Sequence, residues 1–475
     1  MRHVTRYTLA VAMCAGLCGL SADAHASGFA AARFGGPLGN PVSVNPSAIY
    51  YNPANLALVD RTQLMLDVNW AYRTSTYERG ANAVSPPAVG EHSPEYIAAN
   101  TGEASVANLI YSPMLGVATD FNTDIPFGVG FGFYAPFGGQ AVWDQATPSD
   151  EFAGAVDGSQ RWYTIEGTIR TLAFSLGAAY EIEPARLSIG FSGSLYLSEV
   201  NTIRARNVDG TDNLFSEGRS LVDVSSTDFG IGAGLTWEGV EDRLWVSTSW
   251  QSAPNISGEM VYDGALVNTF PPNQDTNDIV FTQKLPDIFR FGARVRPIDD
   301  LELRVFGDVT RWNVLENQCI ISQNDVGDED PFEFCAIDEN GDPPAGNPIV
   351  QNLNRDWNMA AGVRVGGSYY LNDRIELMLD LGYDGNAIPD ETLEPALIDM
   401  DKVSAGVGGI FQLVGRNNFS MSLATTASNI FYFERDTNGA ATASAFATTN
   451  SKQPSSEGVY NQNIFLLNTA LYFSF

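Results

Sequence analysis

The feature that most constrains this chain is a two-residue rhythm of apolar and polar side chains, which recurs in fourteen separate runs from about residue 61 onward. Alternation with period two marks strands whose two faces meet different surroundings. Leu187, Ile189, Phe191, Leu195 and Leu197 alternate with Ser188, Gly190, Ser192, Ser194 and Ser198. Ile375, Leu377, Leu379 and Leu381 alternate in the same way with Glu376, Asp380 and Asp384. The runs fall at 61–78, 105–120, 126–136, 161–182, 187–200, 224–237, 243–257, 281–296, 300–314, 356–371, 374–385, 402–413, 418–433 and 460–475. Short gaps follow every even-numbered run, at 121–125, 183–186, 238–242, 297–299, 372–373 and 414–417, whereas the other gaps are mostly long, polar and acidic. Tight turns therefore collect at one end of the sheet and long loops at the other. An even strand number with loops sorted in this way is the pattern of an outer-membrane barrel. Many of the runs exceed the ~9–11 residues that cross a bilayer at a tilt. Closure also removes the open strand edges that lipid cannot satisfy. The expected fold is all-β: a 14-stranded antiparallel transmembrane β-barrel.

The N-terminus agrees with export. Arg2, His3 and Arg6 precede a short apolar stretch from Leu9 to Leu20, and Ala24-His25-Ala26 carries small residues where signal peptidase reads. Residues 1–26 are expected to be a signal peptide, and Leu17 before Cys18 disfavours lipid attachment. Cys319 and Cys335 then remain, 16 positions apart in an acidic stretch. In an oxidising compartment they most simply form a disulfide, the alternative being two free thiols. The formal net charge is −30 and lysine occurs only at Lys284, Lys402 and Lys452, which excludes a nucleic-acid partner that needs basic patches.

With the apolar face turned to lipid, the inward face carries Asp67, Arg73, Arg290, Arg294, Arg296, Glu302, Arg304, Asp308, Arg364, Glu376, Asp380 and Asp384. Such mixed charge suits either an aqueous ion pathway or a neutralised network around an internal plug. Residues 27–60 precede the first strand, show no alternation and repeat Pro and Asn, so they are long enough to fold inside the barrel as plugs do. Gly128, Gly130 and Gly132, with Gly230, Gly232 and Gly234, would leave room for it or would merely ease strand curvature. The domain reading is thus a signal at 1–26, a hatch at 27–60 and a barrel at 61–475.

Arg33-Phe34-Gly35-Gly36, followed by Asn45-Pro46-Ser47-Ala48-Ile49-Tyr50-Tyr51-Asn52-Pro53-Ala54-Asn55, resembles the N-terminal hatch of the FadL-type long-chain fatty acid transporters, with Asn52, Pro53 and Ala54 as its motif. Leu285-Pro286-Asp287 with Arg290-Phe291-Gly292-Ala293 and Thr310-Arg311-Trp312 is similar to the family's central strand pair. Ile388-Pro389-Asp390-Glu391-Thr392-Leu393 resembles a late loop of the family. Asn55 stands where the family usually has glycine, and asparagine too tolerates a left-handed backbone.

The resemblance implies passive uptake of a hydrophobic molecule from the outer loops, through an inner pocket at the hatch, to lateral release. Contacts would come from Phe29 and Phe34 at the hatch and from Leu214, Phe215, Val261, Tyr262, Leu266 and Phe270 in the loops. A carboxylate head would seek Arg33, Lys284, Arg290 or Arg294, most of which are expected to pair with lumen carboxylates instead. In this family the wall opens at an inward kink in an early strand. Pro136, Phe137 and Gly138 fit such a break, and they fit the ordinary end of a strand equally well. Fatty acids, alkanes and monoaromatic hydrocarbons remain open as substrates. Expected partners are outer-membrane lipid and lipopolysaccharide, the barrel-assembly machinery that would read the terminal Phe475, and no second subunit.

Other chemistries find no support. His92 is the only histidine beyond the signal, and no G-x-S-x-G elbow occurs, so a hydrolase lacks its parts. The acidic residues Asp325, Asp328, Glu329, Asp330, Asp338 and Asp342 lack the EF-hand glycine and read as a solvated loop. No enzyme activity, metal or cofactor is expected. The alternative function is an open diffusion porin for polar solutes, and an adhesin or phage-receptor role of the long loops could coexist with transport.

Overall fold

The computed structural model describes residues 34–36, 39–87, 90–270, 273–336, 349–416, 418–440 and 451–475. The expected signal peptide and the candidates Phe29 and Arg33 lie outside them, as do Asp338 and Asp342.

Nineteen strands form one antiparallel sheet. Fourteen of them close the wall. These are β1 (Gln63–Arg79), β2 (Gly102–Thr119), β3 (Phe127–Val142), β4 (Glu166–Ile182), β5 (Leu187–Arg206), β6 (Gly218–Val240) and β7 (Leu244–Gln251), continued by β10 (Ile288–Ile298), β11 (Leu301–Thr310), β14 (Ala360–Asn372), β15 (Ile375–Asp384), β16 (Lys402–Arg416), β17 (Phe419–Tyr432) and β19 (Val459–Ser474). The circuit closes where β1 runs against β19 from Gln63↔Ser474 to Glu78↔Val459. Each expected run corresponds to one wall strand, and the tight turns lie at one end.

Side chains facing out are apolar and uncovered. Leu176 is 67% and Phe191 65% exposed, and Leu66, Leu379 and Val407 share that face. Their neighbours in sequence, such as Asp67, Asp380 and Ser175, are buried inside. An apolar outer face with a polar interior inverts a soluble barrel and is what a bilayer requires.

The main departures from the sequence reading share one reason. The wall continues upward past the membrane, where the chain pairs again. The long gap after β7 contains β8 (Glu259–Phe270) and β9 (Asn273–Lys284), so residues 281–284 end β9 and do not open β10. β8 docks on the upper part of β6 at Arg219–Ser225. β9 pairs with β12 (Asn317–Ser322), and β12 in turn with β13 (Ile349–Asn354). The acidic stretch is therefore partly a rim sheet above the membrane. Its Cys319 and Cys335 are joined with a Cα–Cα distance of 6.1 Å, and Cys319, Ile321, Val326 and Phe334 form a small buried cluster there. A two-residue strand, β18 (Arg435–Asp436), pairs with the outer end of β19.

Residues 39–60 enter the lumen and fold as two short turns of helix, Ala48–Tyr51 and Pro53–Leu58. The wall meets them with glycine. A Cβ on Gly132 or Gly177 would fall 2.6 Å from Ile49, and one on Gly116 would fall 2.9 Å from Pro46. Gly128 and Gly130 lie as close to Leu56, Gly190 to Pro53 and Gly234 to Asn52. Gly230 and Gly232 instead face wall residues. Of the two readings of these glycines, a seat for the hatch holds for Gly128, Gly130, Gly132 and Gly234.

Leucine at position 132 should therefore drive Ile49 from its seat. We expect Gly132→Leu to cost about 1–3 kcal/mol of stability and to raise ion conductance, both checked on purified protein by thermal unfolding and planar-bilayer recording. Unchanged conductance would mean that the hatch does not block the lumen.

Candidate functional site: a stapled hatch beside a break in the wall

Asn52 links the two helical turns of the hatch. It ends the first and caps the second, its side-chain oxygen accepting from Ala54 N at 3.1 Å. Its side-chain nitrogen donates to Pro41 O at 3.0 Å and crosses to the wall at Leu235 O (3.2 Å) and Thr236 Oγ1 (3.0 Å). Pro53 follows at the first helical position, where a missing N–H costs nothing. Ala54 is fully buried, leaving no space for a larger residue. Asn55 has an ordinary helical backbone, contrary to the left-handed one its place suggested. Its function is carried by the side chain, which donates to Pro41 O (2.9 Å) and Ser43 O (3.0 Å) and accepts from Thr236 Oγ1 at 2.5 Å.

A small cavity remains where the hatch, β3, β5, β7 and β10 meet. Tyr50, Tyr51, Tyr134, Ser194, Gln251 and Arg290 line it. The Arg290 guanidinium donates to Tyr50 O at 3.2 Å and Gln251 Oε1 at 3.0 Å and lies 4.5 Å from the Tyr50 ring centroid. Among the described residues no carboxylate lies in ion-pair reach of it. Phe34 is fully buried against Tyr50 and Tyr134, at ring centroid distances of 5.2 and 5.4 Å, so it is a wedge in the hatch core. Tyr50 stands in the hatch motif and Tyr134 at the start of the candidate break, and the sequence offers neither as a ligand contact. The sole signal for Tyr134 is its parity with Gly128, Gly130 and Gly132 on the inward face.

The other cations are engaged. Arg294 sits 4.0 Å from the Trp245 ring and 3.8 Å from Glu302. Arg296 and Arg304 reach the same Glu302 at 2.9 and 2.8 Å, and Arg304 also reaches Glu376 at 3.4 Å. Arg364 bridges Asp308 (3.4 Å) and Asp384. The mixed-charge arc of the lumen is thus a neutralised network. Lys284 lies on the rim, 3.4 Å from Glu259 and 5.6 Å from the Phe332 ring. His92 stacks on Tyr96 in an outer loop at 3.9 Å.

The loop candidates divide. Leu214, Tyr262 and Leu266 belong to a second core beneath the outer loops, which also holds Trp162, Trp312 and Trp357. Phe215 is 78% exposed and meets Phe152 and Tyr96 at 5.5 and 6.1 Å, and Val261 is exposed on the outer face of β8. Phe270 closes β8, half-buried against the Gly218 end of β6.

The wall is continuous except between β2 and β3. β1 and β2 pair along 17 positions, from Gln63↔Ala118 to Arg79↔Gly102, whereas β2 and β3 pair only from Thr119↔Val129 to Met114↔Tyr134. At that level β3 bulges against β4 between Tyr134 and Phe137, then runs on to Val142, so Pro136 is not the end of the strand. Contact with β2 resumes through Asn108 Nδ2 to Gln140 O at 2.6 Å and Asp144 N to Ser105 O at 2.9 Å. Pro136, Phe137 and Gly138 border the break on one side. Pro113 stands on the other side and is a cue the sequence reading passed over, because proline in a sheet is confined to edges and bulges.

These features define a plugged outer-membrane barrel. A family model described as "Outer membrane protein transport protein (OMPP1/FadL/TodX)" matches residues 10–453, and the chain belongs to that family, whose members are outer-membrane transport proteins. Among solved structures it is similar to a Pseudomonas aeruginosa FadL homologue, with a TM-score of 0.71 and 14% identity over 96% of this chain and 100% of that one. It is also similar to the toluene transporters TodX of P. putida (TM-score 0.60, 12% identity, 94% and 98% covered) and TbuX of Ralstonia pickettii (0.58, 12%, 94% and 98%). No curated protein sequence matches it.

Asn52→Ala removes one cap and three buried donor contacts. The expected loss is about 2–4 kcal/mol, since the carbonyls it served stay buried. Earlier thermal unfolding than for Asn82→Ala, a rim substitution, would check this.

Proposed function

We propose that this protein is a passive uptake channel for long-chain fatty acids or related hydrophobic small molecules, with release sideways into the membrane. The observation that carries the reading is a lumen filled by residues 39–60 next to a wall that is unpaired above Met114↔Tyr134. A barrel blocked along its axis and open at its side suits a cargo that prefers lipid to water.

Capture begins at the loops, where exposed Phe215 and Val261 offer apolar surface over Leu214, Tyr262, Leu266 and Phe270. Each methylene moved out of water contributes about 0.8 kcal/mol. The cargo next reaches the cavity at the hatch, where Arg290, lacking a carboxylate partner among the described residues, receives an acidic head. Phe34 backs Tyr50 and Tyr134 of that pocket, and Phe29 and Arg33 are assigned to ligand contact with it. The cargo then leaves past Pro136, Phe137 and Gly138, avoiding a second passage through water. Residues 1–26 serve export, and the channel works as a single chain among outer-membrane lipid and lipopolysaccharide after insertion by the barrel-assembly machinery. An open porin would need the axial path that the hatch occupies.

Uptake of labelled oleate by cells expressing the protein tests this. One residue of the Ala135-Pro136 bulge is extra against Leu172, so deleting Pro136 should restore pairing and cut uptake about tenfold or more while the barrel still folds. Undiminished uptake would move the exit elsewhere. No oleate uptake by the native protein, with large steady conductance, would favour the porin.

A further inference from the structure

Four of the arginines buried under the outer loops make an informative contrast. Arg79 pairs with Asp212 at 2.8 Å, and Arg161 pairs with Glu217 at 3.1 Å. Arg204 and Arg206, on the inward face at the outer end of β5, have no such partner among the described residues. They are 7% and 5% exposed. Arg204 donates to the side-chain oxygens of Gln453, at 3.3 Å, and Gln351. Arg206 makes one bond, from Nη2 to Val350 O at 3.2 Å, and its Nε and Nη1 meet no acceptor among the described residues. Gln453 leads on to Glu394, which Arg355 holds at 2.9 Å, and Arg355 Nη1 is likewise without an acceptor. Among the described residues this cluster of three buried guanidinium groups thus has one carboxylate, which Arg355 contacts directly and Arg204 through Gln453, in a chain whose net charge is −30. Removing a charge from water without a counter-charge is strongly unfavourable. A cluster left two negative charges short, with Arg206 Nε and Nη1 and Arg355 Nη1 lacking an acceptor, would be stabilised by an anion.

We propose that Arg204, Arg206 and Arg355 form an outer station for the carboxylate of an amphipathic cargo, upstream of Arg290. This rests on the hydrophobic-uptake reading and narrows it to acids. The surroundings suit such a ligand, because Val200, Trp357 and Leu393 of the outer apolar core flank the same elements. Below the site the inward face of β5 continues through Ser198 and Tyr196, and Tyr196 accepts from Gln251, which in turn accepts from Arg290. The inward face of β5 thus runs from the outer arginines past Thr202, Val200 and Ser198 to Tyr196, which meets the Gln251–Arg290 pair of β7 and β10, while neutral hydrocarbon would gain nothing from either cationic station.

The test uses the full-length protein in neutral detergent, titrated with laurate and with dodecanol, which has the same chain and no charge. Laurate should bind about tenfold or more tightly than dodecanol, the worth of a charge-assisted hydrogen bond. Arg204→Gln with Arg206→Gln should remove that preference and leave dodecanol binding intact, whereas Arg206→Lys should keep most of it. Without ligand the double variant should unfold at a higher temperature, because a strained positive cluster has been relieved; a merely structural pair would give the opposite shift. Equal binding of laurate and dodecanol by the native protein would overturn the outer station while leaving hydrophobic uptake standing. So would a preference abolished by Arg290→Gln but not by the outer pair. Displacement of laurate by equimolar inorganic phosphate would show a plain anion site and overturn the amphiphile assignment. Failure of both laurate and dodecanol to bind would defeat the uptake reading itself.

Discussion

In hydrocarbon a backbone N–H or C=O has no partner other than another backbone group, and the wall follows from that. It explains the closure of β1 on β19 and the ladders that join neighbouring wall strands everywhere apart from the upper part of β2 and β3. Against that requirement an unpaired stretch between two strands is expensive, at a few kcal/mol for each polar group left without a partner. Proline lowers the cost by removing a donor, and Pro113 and Pro136 stand on the two lips of the β2–β3 break. The bulge at Ala135-Pro136 re-aims β3 without ending it, and Asn108, Gln140, Ser105 and Asp144 rejoin the strands above. The break is therefore bounded above and below by contacts between the two strands, unlike the fraying of strand ends.

The same chemistry fixes the interior. A barrel of this width must be filled or wet, and here it is filled by a segment with little regular structure of its own. Residues 39–60 present many backbone groups that no ladder satisfies. Asn52 and Asn55 answer several of them at once, binding carbonyls of the hatch and the hydroxyl of Thr236 on the wall. Glycines on β2 to β6 let the hatch backbone approach closely, so these bonds can form. On the opposite arc, where the hatch is less intimate, carboxylates and arginines of β10, β11, β14 and β15 neutralise one another. The interior is thus held by close approach on one side and charge balance on the other.

Much of this was legible in the sequence, for reasons that can be named. Membrane-facing alternation survives because lipid and lumen differ so sharply, and all fourteen wall strands were found by it. The rim strands β8, β9, β12 and β13 were missed because above the membrane both faces meet protein or water, and the rhythm fades: β9 is exposed from Asn273 to Asp278 and buried from Ile279 to Gln283. Asn52-Pro53-Ala54 could be recognised as a motif, yet its work is a cap and a staple, which spacing does not reveal. Asn55 shows the limit of substitution logic, since it keeps a helical backbone and contributes an amide instead. Partners across hundreds of positions, such as Tyr51 with Ser249 or Tyr50 with Arg290, leave no trace in one sequence.

Charge placement turns these structural facts into a view of specificity. Along β10, β11 and β14 most arginines face carboxylates, Arg304 facing Glu302 and Arg364 facing Asp308 and Asp384, whereas Arg73 of β1 bonds Asn108 and the Gln140 carbonyl. Arg290 departs from this rule at the hatch, and Arg204 and Arg206 depart from it beneath the loops. All three are buried, and their donors go to amides, carbonyls or nothing. Buried ion pairs are tolerated because each charge cancels another. A buried guanidinium group left uncancelled is destabilising, and an anion bound beside it would remove that cost. A purely apolar cargo would exert no such selection for arginine at these places.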